Sequence, residues 1–438
     1  MTPSAGMTPS MEGRRSGYRW IVCALLFAAT TINYVDRQVL GILAPTLQRE
    51  FHWSESQYGD VVSWFSLLYA FGFLAVGRWL DRVGVRRGFA AAVVAWSFAA
   101  IASAAARTTA GFSVARAMLG LAESANFPAA IKTVAEWFPK QERALATGIF
   151  NAGSNTGAIV APLVVPWIAI TWGWQWAFII TGSLGFVWVA AWLALYRSPG
   201  NDPRVSSAEL ARIRNGASHE PGATSGENGA ARIPWLRLLG YRQTWAIVIG
   251  KAMADPIWWF YLYWIPKFLD ARYGIKLGQV AAPLIAVYLV ADVGSIAGGW
   301  LSGALIKRGA TVNRARKTAM LVAALLIVPA AFAPLAPGMW TAVALVSVAA
   351  AAHQAWSANV YTLSSDMFPR SVVGSVMGIA GFAGAMGGVI FQRVTGRILE
   401  ANGQNYAPLF MMAGLAYVSA WVLIHVLAPR LDAVPVPS

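Results

Sequence analysis

Long apolar runs are the feature that most restricts how this chain can fold. A helix needs about 20 apolar residues to cross the hydrocarbon layer of a bilayer. Only helices and closed barrels satisfy their backbone groups in lipid, and uninterrupted apolar runs lack the alternation of a barrel strand. Twelve runs are long enough, near residues 19–47, 57–80, 88–106, 111–136, 143–168, 174–196, 242–268, 278–306, 317–335, 340–365, 372–398 and 407–428. The sequence therefore predicts an all-α membrane protein with twelve transmembrane helices.

Few charged residues accompany these runs. Of the 438 residues, 57% are hydrophobic and 12% are charged, against roughly 25% charged in a typical soluble domain. A water-soluble enzyme of this size could not cover such an interior with so few charges, so we expect a lipid bilayer to surround the chain.

The net charge of +15 could indicate a nucleic-acid partner, but the positions of the basic residues favour another cause. If the chain crosses the membrane twelve times, alternate loops lie on the same side of the membrane. Most of the basic residues then fall on one side, before the first span, in the 197–240 linker and in the other loops of that side. An excess of Lys and Arg marks cytoplasmic loops. We therefore predict a multi-pass protein of the bacterial inner membrane with both termini and the linker in the cytoplasm, and no nucleic-acid partner.

Cysteine and histidine are scarce. Cys23 is the only cysteine, and there are four histidines, which excludes an internal disulfide and a cysteine metal cluster. No nucleophile–base pair or appended soluble domain is apparent, so we expect no catalytic residue, no metal, no cofactor and no enzymatic activity. The first apolar run follows arginines as a signal peptide would, but it continues into Asp36 and Arg37 without a convincing cleavage site, so we expect it to be retained.

A loop rich in proline and glycine separates six spans from six. It contains Pro199-Gly200-Asn201-Asp202-Pro203 and Pro221-Gly222, which mark turns, and a short surface helix is expected at 207–215. We predict a monomer with the following divisions: a cytoplasmic tail at 1–18, an N-terminal six-helix bundle at 19–196, a cytoplasmic linker at 197–240, a C-terminal six-helix bundle at 241–430 and a cytoplasmic tail at 431–438.

The two halves also repeat weakly in sequence. An offset of 230 residues carries Glu136-Trp137-Phe138-Pro139-Lys140 onto Asp366-Met367-Phe368-Pro369-Arg370, and Gly157 onto Gly387. Chance matching of glycine and proline is the alternative explanation. A true repeat predicts two pseudo-symmetric bundles, with the fourth span equivalent to the tenth and the fifth to the eleventh.

Four charged residues fall inside spans of the first half. Asp36 and Arg37 lie in the first span, and Arg116 and Glu123 lie seven residues apart on one face of the fourth. A charge at the bilayer centre costs roughly 2.5–3.5 kcal/mol on insertion scales and is a functional candidate by default. The four could merely join two helices, although desolvation offsets most of the gain from a buried pair. Alternatively, Arg37 or Arg116 binds a substrate carboxylate. Asp36 and Glu123 then compete with the substrate for the arginines, and they bind and release protons.

The loop between the second and third spans carries a recognisable motif. Gly77-Arg78-Trp79-Leu80-Asp81-Arg82-Val83-Gly84-Val85-Arg86-Arg87 resembles the signature loop of the major facilitator superfamily. Its glycines permit close packing and a tight turn, and Asp81 could pair with an arginine or cap a helix and so latch an inner gate. A solvated basic loop is the alternative. The gating candidates are Gly77, Asp81, Arg82, Gly84 and Arg86.

Further motifs resemble the anion:cation symporter branch of that superfamily. They are Asn33-Tyr34-Val35-Asp36-Arg37-Gln38, Glu123-Ser124-Ala125-Asn126-Phe127-Pro128, Glu136-Trp137-Phe138-Pro139 and Phe150-Asn151-Ala152-Gly153-Ser154-Asn155. Asp255-Pro256-Ile257-Trp258-Trp259-Phe260-Tyr261 and His353-Gln354-Ala355-Trp356-Ser357-Ala358-Asn359 look most like bacterial hexuronate transporters.

This resemblance implies a major facilitator fold and proton-driven uptake of sugar acids. It implies proton roles for Asp36 and Glu123. The substrate-contacting positions that it implies are matched by Tyr34, Arg37, Tyr69, Arg116 and Ser154, to which we add the adjacent Asn155. Ser154 stands where galactonate-type relatives have glutamine, and Gly381 replaces a polar residue, so the exact sugar acid stays open.

The second half offers aromatic and polar candidates. Trp258, Trp259 and Tyr261 could stack on a sugar or serve as core or interface aromatics, and we favour a site role for one of them. His353 could touch substrate or a proton path, or only join helices; Gln354 and Asn359 could bind hydroxyls or neighbouring helices. The substrate-binding candidates of this half are Trp258, Tyr261, His353, Gln354, Trp356 and Asn359.

These observations favour a proton-coupled symporter that imports a sugar-acid anion, a hexuronate such as galacturonate or glucuronate, or an aldonate, by alternating access. Its expected partners are this small molecule, protons and the bilayer. One alternative is a transporter of another organic anion, such as a short monocarboxylate or an aromatic acid. A different class of alternative is a membrane sensor without transport.

The predicted orientation can be tested by cysteine labelling. Single cysteines at Ser218 and Ser438, in a background lacking Cys23, should resist an impermeant thiol reagent outside intact cells, because the basic loops place both sites in the cytoplasm. The same reagent should label both sites after the cells are disrupted. Ready labelling of either site in intact cells would refute the orientation.

Overall fold

A computed structural model of the chain describes residues 17–215, 235–368, 370–432 and 434. Within those ranges the chain forms helices and their connections, and no strand occurs. Most of the predicted 1–18 and 431–438 tails, and the middle of the 197–240 linker, lie outside the described residues.

The first half contains seven helices, two of which together form the fourth span. The seven are α1 (Tyr18–Phe51), α2 (Glu55–Val83), α3 (Val85–Ala105), α4 (Thr109–Glu123), α5 (Asn126–Trp137), α6 (Lys140–Trp172) and α7 (Trp174–Leu195). Two short helices follow, α8 (Ser207–Asn215) and α9 (Trp235–Leu238). The predicted surface helix at 207–215 is thus confirmed.

The second half follows the same plan. Its helices are α10 (Arg242–Tyr273), α11 (Ala281–Lys307), α12 (Val312–Ile327), extended by a 3₁₀ segment (Val328–Leu335), α13 (Met339–Met367), α14 (Arg370–Ala401) and α15 (Ala407–Leu427). Among the described residues, nine helical segments are long and apolar enough to cross a membrane. The α4–α5 pair, α10 and α13 occupy the other three predicted spans, so the all-α fold with twelve spans is confirmed.

The fourth span is not the continuous helix that the apolar run over 111–136 predicts. α4 ends at Glu123 and α5 begins at Asn126. Pro128 explains the break, because it donates no hydrogen bond to the carbonyl of Ser124 and its ring clashes with that carbonyl. The equivalent residue of the second half is Ala358, and there α13 runs unbroken.

The sequence repeat reappears in the packing. α5 ends at Trp137 and α13 ends at Met367, and these two positions are separated by the 230 residues of the repeat. A Cβ atom added to Gly157 would lie 2.5 Å from the carbonyl oxygen of Thr31 on α1, and one added to Gly387 would lie 2.5 Å from that of Ala252 on α10. Small residues allow such close backbone approach between membrane helices. The equivalent helix pairs therefore pack by the same device in both halves.

Large apolar side chains cover the outside of the bundle. Exposed fractions reach 76% for Ile296, 68% for Val187 and 67% for Trp300. An apolar surface of this kind suits lipid tails rather than water.

The linker is attached to the first half by charged contacts. Glu209 of α8 accepts from Arg19 at 2.9 Å, and Arg212 donates to Glu142 at the start of α6 at 2.5 Å. Before α8, hydrogen bonds from Arg204 hold the pKa of Asp202 below its usual value. We call this side of the bundle the linker end and the opposite side the distal end.

The two halves are joined at the distal end. Lys267 of α10 forms a buried ion pair with Glu55 of α2, and Tyr58 donates to the backbone oxygen of Tyr263 at 2.7 Å. α2 and α14 touch backbone to backbone, since a Cβ atom on Gly59 would lie 2.7 Å from the Gln392 carbonyl oxygen.

Among the described residues, the polar contacts between the halves lie at the distal end and in the middle. At the linker end, no hydrogen bond or ion pair joins a described residue of one half to a described residue of the other. The molecule is therefore closed at its distal end, with the halves less firmly joined toward the linker end.

The Glu55–Lys267 pair should hold the distal end shut. Lys267→Met leaves Glu55 buried without its cation, which costs about 3–5 kcal/mol in the closed arrangement. The variant should therefore open more often at this end. Ser66, fully buried in the described structure and close to Gly388 of α14, supplies the reporter: Ser66→Cys, without Cys23, should react faster with an impermeant thiol reagent added on the distal side.

Arg212→Met is the matched control, because it breaks a half-exposed ion pair at the linker end. It should leave the labelling rate unchanged, since exposed pairs contribute about 1 kcal/mol or less. An unchanged labelling rate in Lys267→Met would show that the pair does not hold the gate.

Candidate functional site

Arg37 and Glu123 form an ion pair in the middle of the first half. Both Nε and Nη2 of Arg37 donate to one oxygen of Glu123, Oε2, at 3.0 and 2.8 Å, and Nη2 also donates to Asn33 at 3.2 Å. Exposed fractions are 2% for Arg37 and 0% for Glu123. The second carboxylate oxygen, Oε1, is buried and receives no hydrogen bond from the described residues. Half of this carboxylate is thus left unsatisfied.

Four aromatic rings enclose the Arg37 guanidinium. Its carbon lies 4.8–5.1 Å from the ring centroids of Tyr34, Tyr69, Phe65 and Trp259. Ring faces attract a cation, and the attraction is larger where water is excluded. Trp259 belongs to α10, so the second half covers a charge that belongs to the first.

Arg116 lies beside this pair and is fully buried. Its Nη2 donates to the backbone oxygen of Arg37 at 3.3 Å and to the phenol oxygen of Tyr263 at 3.2 Å. Its Nε and Nη1 have no acceptor among the described residues. Buried donors without acceptors are costly, and these two belong to a group shaped to hold a carboxylate at two points.

Asp36 completes the cluster. Asp36 is 2% exposed, its carboxyl group lies near the Thr181 side chain, and neither carboxylate oxygen receives a hydrogen bond of ordinary geometry from a described residue. Glu123 and Arg116 are close enough to act on it electrostatically. The structure therefore brings together the two acids and two arginines predicted from the first and fourth spans.

The serine and asparagine candidates lie on α6. The Ser154 hydroxyl donates to the backbone oxygen of Asn151 at 2.6 Å and lies 3.5 Å from the Asn155 side-chain oxygen. Ser154 is buried and Asn155 is half-buried. The hydroxyl is thus engaged within its own helix.

In the second half, His353 and Trp258 stack on each other, with ring centroids 5.0 Å apart and planes within 8°. The Nδ1 atom of His353 hydrogen-bonds with the Tyr417 phenol, and its Nε2 atom lies 3.3 Å from the Ser357 hydroxyl. His353 therefore orients Trp258 and links α13 to α15.

Other candidates of this half contact neighbouring helices. Trp356 donates to the backbone oxygen of Gly250 at 3.2 Å, and Asn359 donates to that of Gly298 at 3.2 Å. Tyr261 is buried with its hydroxyl unpaired among described residues, and Gln354 is half-buried.

Sequence reasoning did not name Phe65 or Tyr263, and it considered Trp259 without keeping it among the binding candidates. A signal was present, since Phe65 lies one turn from Tyr69, and Trp259 lies one turn from Tyr263. In the structure each of these pairs is stacked, with ring centroids 5.6 and 5.9 Å apart. Residues four apart share a helix face, so both pairs could have been proposed as aromatic surfaces.

Gating candidates lie at the linker end of the first half. Asp81 pairs with Lys132 of α5 rather than with an arginine. Arg86 donates to the backbone oxygens of Tyr196 and Leu193, at 2.9 and 2.6 Å.

The glycines of the signature loop differ in their surroundings. Gly84 follows the end of α2 and has a φ of +82°, a backbone conformation that residues other than glycine rarely adopt. An added Cβ on Gly77 would meet no atom within 4 Å, and Arg82 is exposed. Asp81 thus ties α2 to α5, and Arg86 ties α3 to the end of α7.

Comparison with known proteins agrees with this architecture. The model of the Major Facilitator Superfamily matches residues 26–392. Over 396 residues, covering 90% of each chain, the sequence is 34% identical to the hexuronate transporter of Escherichia coli (strain K12). It is 34% identical over 316 residues to the galacturonate transporter of Dickeya chrysanthemi, covering 71% of this chain and 90% of that one.

A solved structure shows the same fold. A bacterial homologue of the human lysosomal transporter Spinster, in an inward-facing and occupied conformation, has a TM-score of 0.70 at 20% identity and covers 95% of this chain and 96% of that one. With the family match over most of its length, the chain belongs to the Major Facilitator Superfamily, a family of membrane transporters.

Proposed function

We propose that this protein is a proton-coupled symporter that imports sugar-acid anions. The observation that carries the proposal is the buried Arg37–Glu123 pair beside an arginine with unused donors. The relatives named as hexuronate and galacturonate transporters support a sugar acid as the anion.

The substrate carboxylate has a defined place in this arrangement. Arg116 offers two buried N–H groups without acceptors, and Arg37 is bound by only one oxygen of Glu123. A carboxylate arriving between the arginines satisfies the free donors and competes with Glu123 for Arg37. A guanidinium suits this exchange because its planar fork matches a carboxylate at two points.

Charge balance connects the anion to a proton. Asp36, Glu123, Arg37 and Arg116 together carry no net charge when all are ionised. An anion that enters this desolvated site leaves one uncompensated negative charge, which is unfavourable in a low-dielectric interior. One proton on either carboxyl restores neutrality. The unpaired oxygens of Asp36 and Glu123 are the atoms that can accept it.

Alternating access completes the cycle. In the proposed orientation, with the linker end in the cytoplasm, the closed distal gate belongs to the inward-facing state of this cycle. The major facilitator arrangement puts the substrate site between the two halves, where α10 covers Arg37 and Arg116.

Replacing the arginines tests the anion site. Arg37→Ala and Arg116→Ala should each weaken galacturonate binding roughly 100-fold, because removing one partner of a buried charged contact costs about 2–5 kcal/mol. Lysine at either position should restore binding only in part, since it lacks the fork. Binding is measured by calorimetry on purified protein.

Arg107→Ala is the control for these variants. Arg107 lies at the distal end of α3 and donates only to the backbone oxygens of Ala104 and Ala106 among described residues. The Arg107→Ala variant should bind galacturonate as the unmodified protein does. Near-normal affinity in both Arg37→Ala and Arg116→Ala would contradict the proposed anion site.

Glu123→Gln separates coupling from binding. Glutamine keeps the shape of the protonated acid, so the variant should bind galacturonate and exchange it across proteoliposome membranes, which requires no net proton movement. It should fail to accumulate galacturonate against a gradient when an acid-outside pH difference is imposed, whereas the unmodified protein should accumulate it.

Two outcomes count against this coupling role. Proton-driven accumulation at the normal rate by Glu123→Gln would place coupling elsewhere, with Asp36 the next candidate and His353 the one after. Absence of any galacturonate flux in the unmodified protein, with the protein correctly folded, would contradict the proposed transport function itself.

A further inference from the structure

A second cluster of charged groups lies in the second half, outside the arginine site. Lys251 and Asp255 are one turn apart on α10, with Nζ 2.9 Å from Oδ2 of Asp255. The ammonium also donates to the Tyr361 hydroxyl on α13 at 3.3 Å and lies 4.6 Å from the centroid of that ring. Lys251 is only 7% exposed. A lysine, a carboxylate and a phenol therefore meet in one buried place within the membrane bundle.

This cluster lines a crevice between α10 and α13. The crevice is also lined by Ser357, and Tyr361 is 53% exposed, so the crevice is open on one side. Tyr34 connects it to the arginine site: its ring lies 4.8 Å from the Arg37 guanidinium, and it is within electrostatic range of Asp255 and Tyr361. Tyr34 is thus close to both clusters, one of which is contributed by each half.

The position of Asp255 is set by a glycine. A Cβ atom on Gly384 of α14 would lie 2.2 Å from Oδ2 of Asp255, so the carboxylate rests directly on the backbone of that helix. A side chain at position 384 would push the carboxylate away. The geometry of the pair therefore depends on three helices of the second half.

The chemistry of the cluster suits hydroxyl groups. Lys251 donates, the ionised Asp255 accepts, and the Tyr361 hydroxyl does both. A sugar hydroxyl also donates and accepts, so it can bridge such a pair with every hydrogen bond made. Because the ion pair is neutral overall, it offers a second carboxylate no free positive charge, and Asp255 repels one.

We propose that Lys251, Asp255 and Tyr361 form a second subsite that binds the hydroxylated end of a monoanionic sugar acid and excludes dianionic sugar acids. This inference rests on the proposed function, since the arginine site holds the single carboxylate. Asp255 is the residue that sets the selectivity, and Lys251 provides the donor.

Galacturonate and galactarate are matched probes, because galactarate has a second carboxylate at the other end of the chain. Their dissociation constants are measured by calorimetry on the full-length protein and on Asp255→Asn and Lys251→Gln. The unmodified protein should prefer galacturonate. Asp255→Asn removes the repulsion and frees the ammonium, so the preference should shift toward galactarate by about tenfold or more, as expected when like charges are no longer opposed.

Lys251→Gln should weaken galacturonate binding without any gain for galactarate. Asp366→Asn is the control: Asp366 is also paired with a cation in the second half, Arg316, at 3.0 Å, but at the linker end. The Asp366→Asn variant should leave the ratio of the galacturonate and galactarate affinities unchanged. If the cluster serves only to join α10 to α13 through the contact of Lys251 with Tyr361, the variants would lose thermal stability and leave that ratio unaltered.

The outcomes distinguish the two proposals. If the unmodified protein binds galacturonate and the ratio in Asp255→Asn does not shift, the subsite is refuted while the proposed function stands. If the unmodified protein binds neither probe, both are refuted. If Asp255→Asn loses both ligands, Lys251→Gln decides, since normal galacturonate affinity in that variant refutes the subsite.

Discussion

The buried ion pair between Arg37 and Glu123 is the interaction on which the centre of this protein depends. An ion pair inside a membrane bundle pays for its desolvation only if its hydrogen bonds are well made, and here one carboxylate oxygen and several neighbouring donors are left over. Such a pair is stable enough to persist in the folded protein. Its unsatisfied hydrogen-bonding groups also allow another anion to replace Glu123 beside Arg37. Its enclosure by aromatic rings excludes water, which strengthens every charge effect within it.

One helix of the second half links this centre to the distal gate. Along α10, Trp259 covers Arg37, the phenol of Tyr263 accepts from Arg116, and the backbone oxygen of Tyr263 accepts from Tyr58. One turn further, Lys267 pairs with Glu55. Site and gate are therefore contacts of the same helix, so a movement of α10 away from the gate would also change what covers the arginines. This mechanical connection is what alternating access requires of a site between two halves.

The sequence predicted the large features well because they rest on strong signals. Twelve apolar runs, the linker helix and four charges in apolar surroundings are visible without any structure. The break in the fourth span was missed because run length takes no account of Pro128. To predict whether Trp258 or Trp259 covers Arg37, one must know how α10 is rotated about its axis. The sequence does not give this rotation. α10 is buried on almost every side, so no polar face marks that rotation. The Lys251 cluster depends on Gly384, which is 129 positions beyond Asp255 along the chain.

In the proposed complex, the repeat explains how a symmetric scaffold can hold an asymmetric substrate. The offset that carries α5 onto the end of α13 also carries Glu123 onto His353 and Arg116 onto Val346. Where the first half has an acid paired with Arg37, the second half has an imidazole stacked on Trp258. Equivalent backbone positions thus present ions on one side and a neutral aromatic and hydrogen-bonding surface on the other. A sugar acid has the same division, with its charge at one carboxylate and neutral hydroxyls along the rest. The asymmetry between the halves, rather than any one residue, orients the carboxylate toward α1 and α4 and the hydroxyls toward α10 and α13 in the proposed complex.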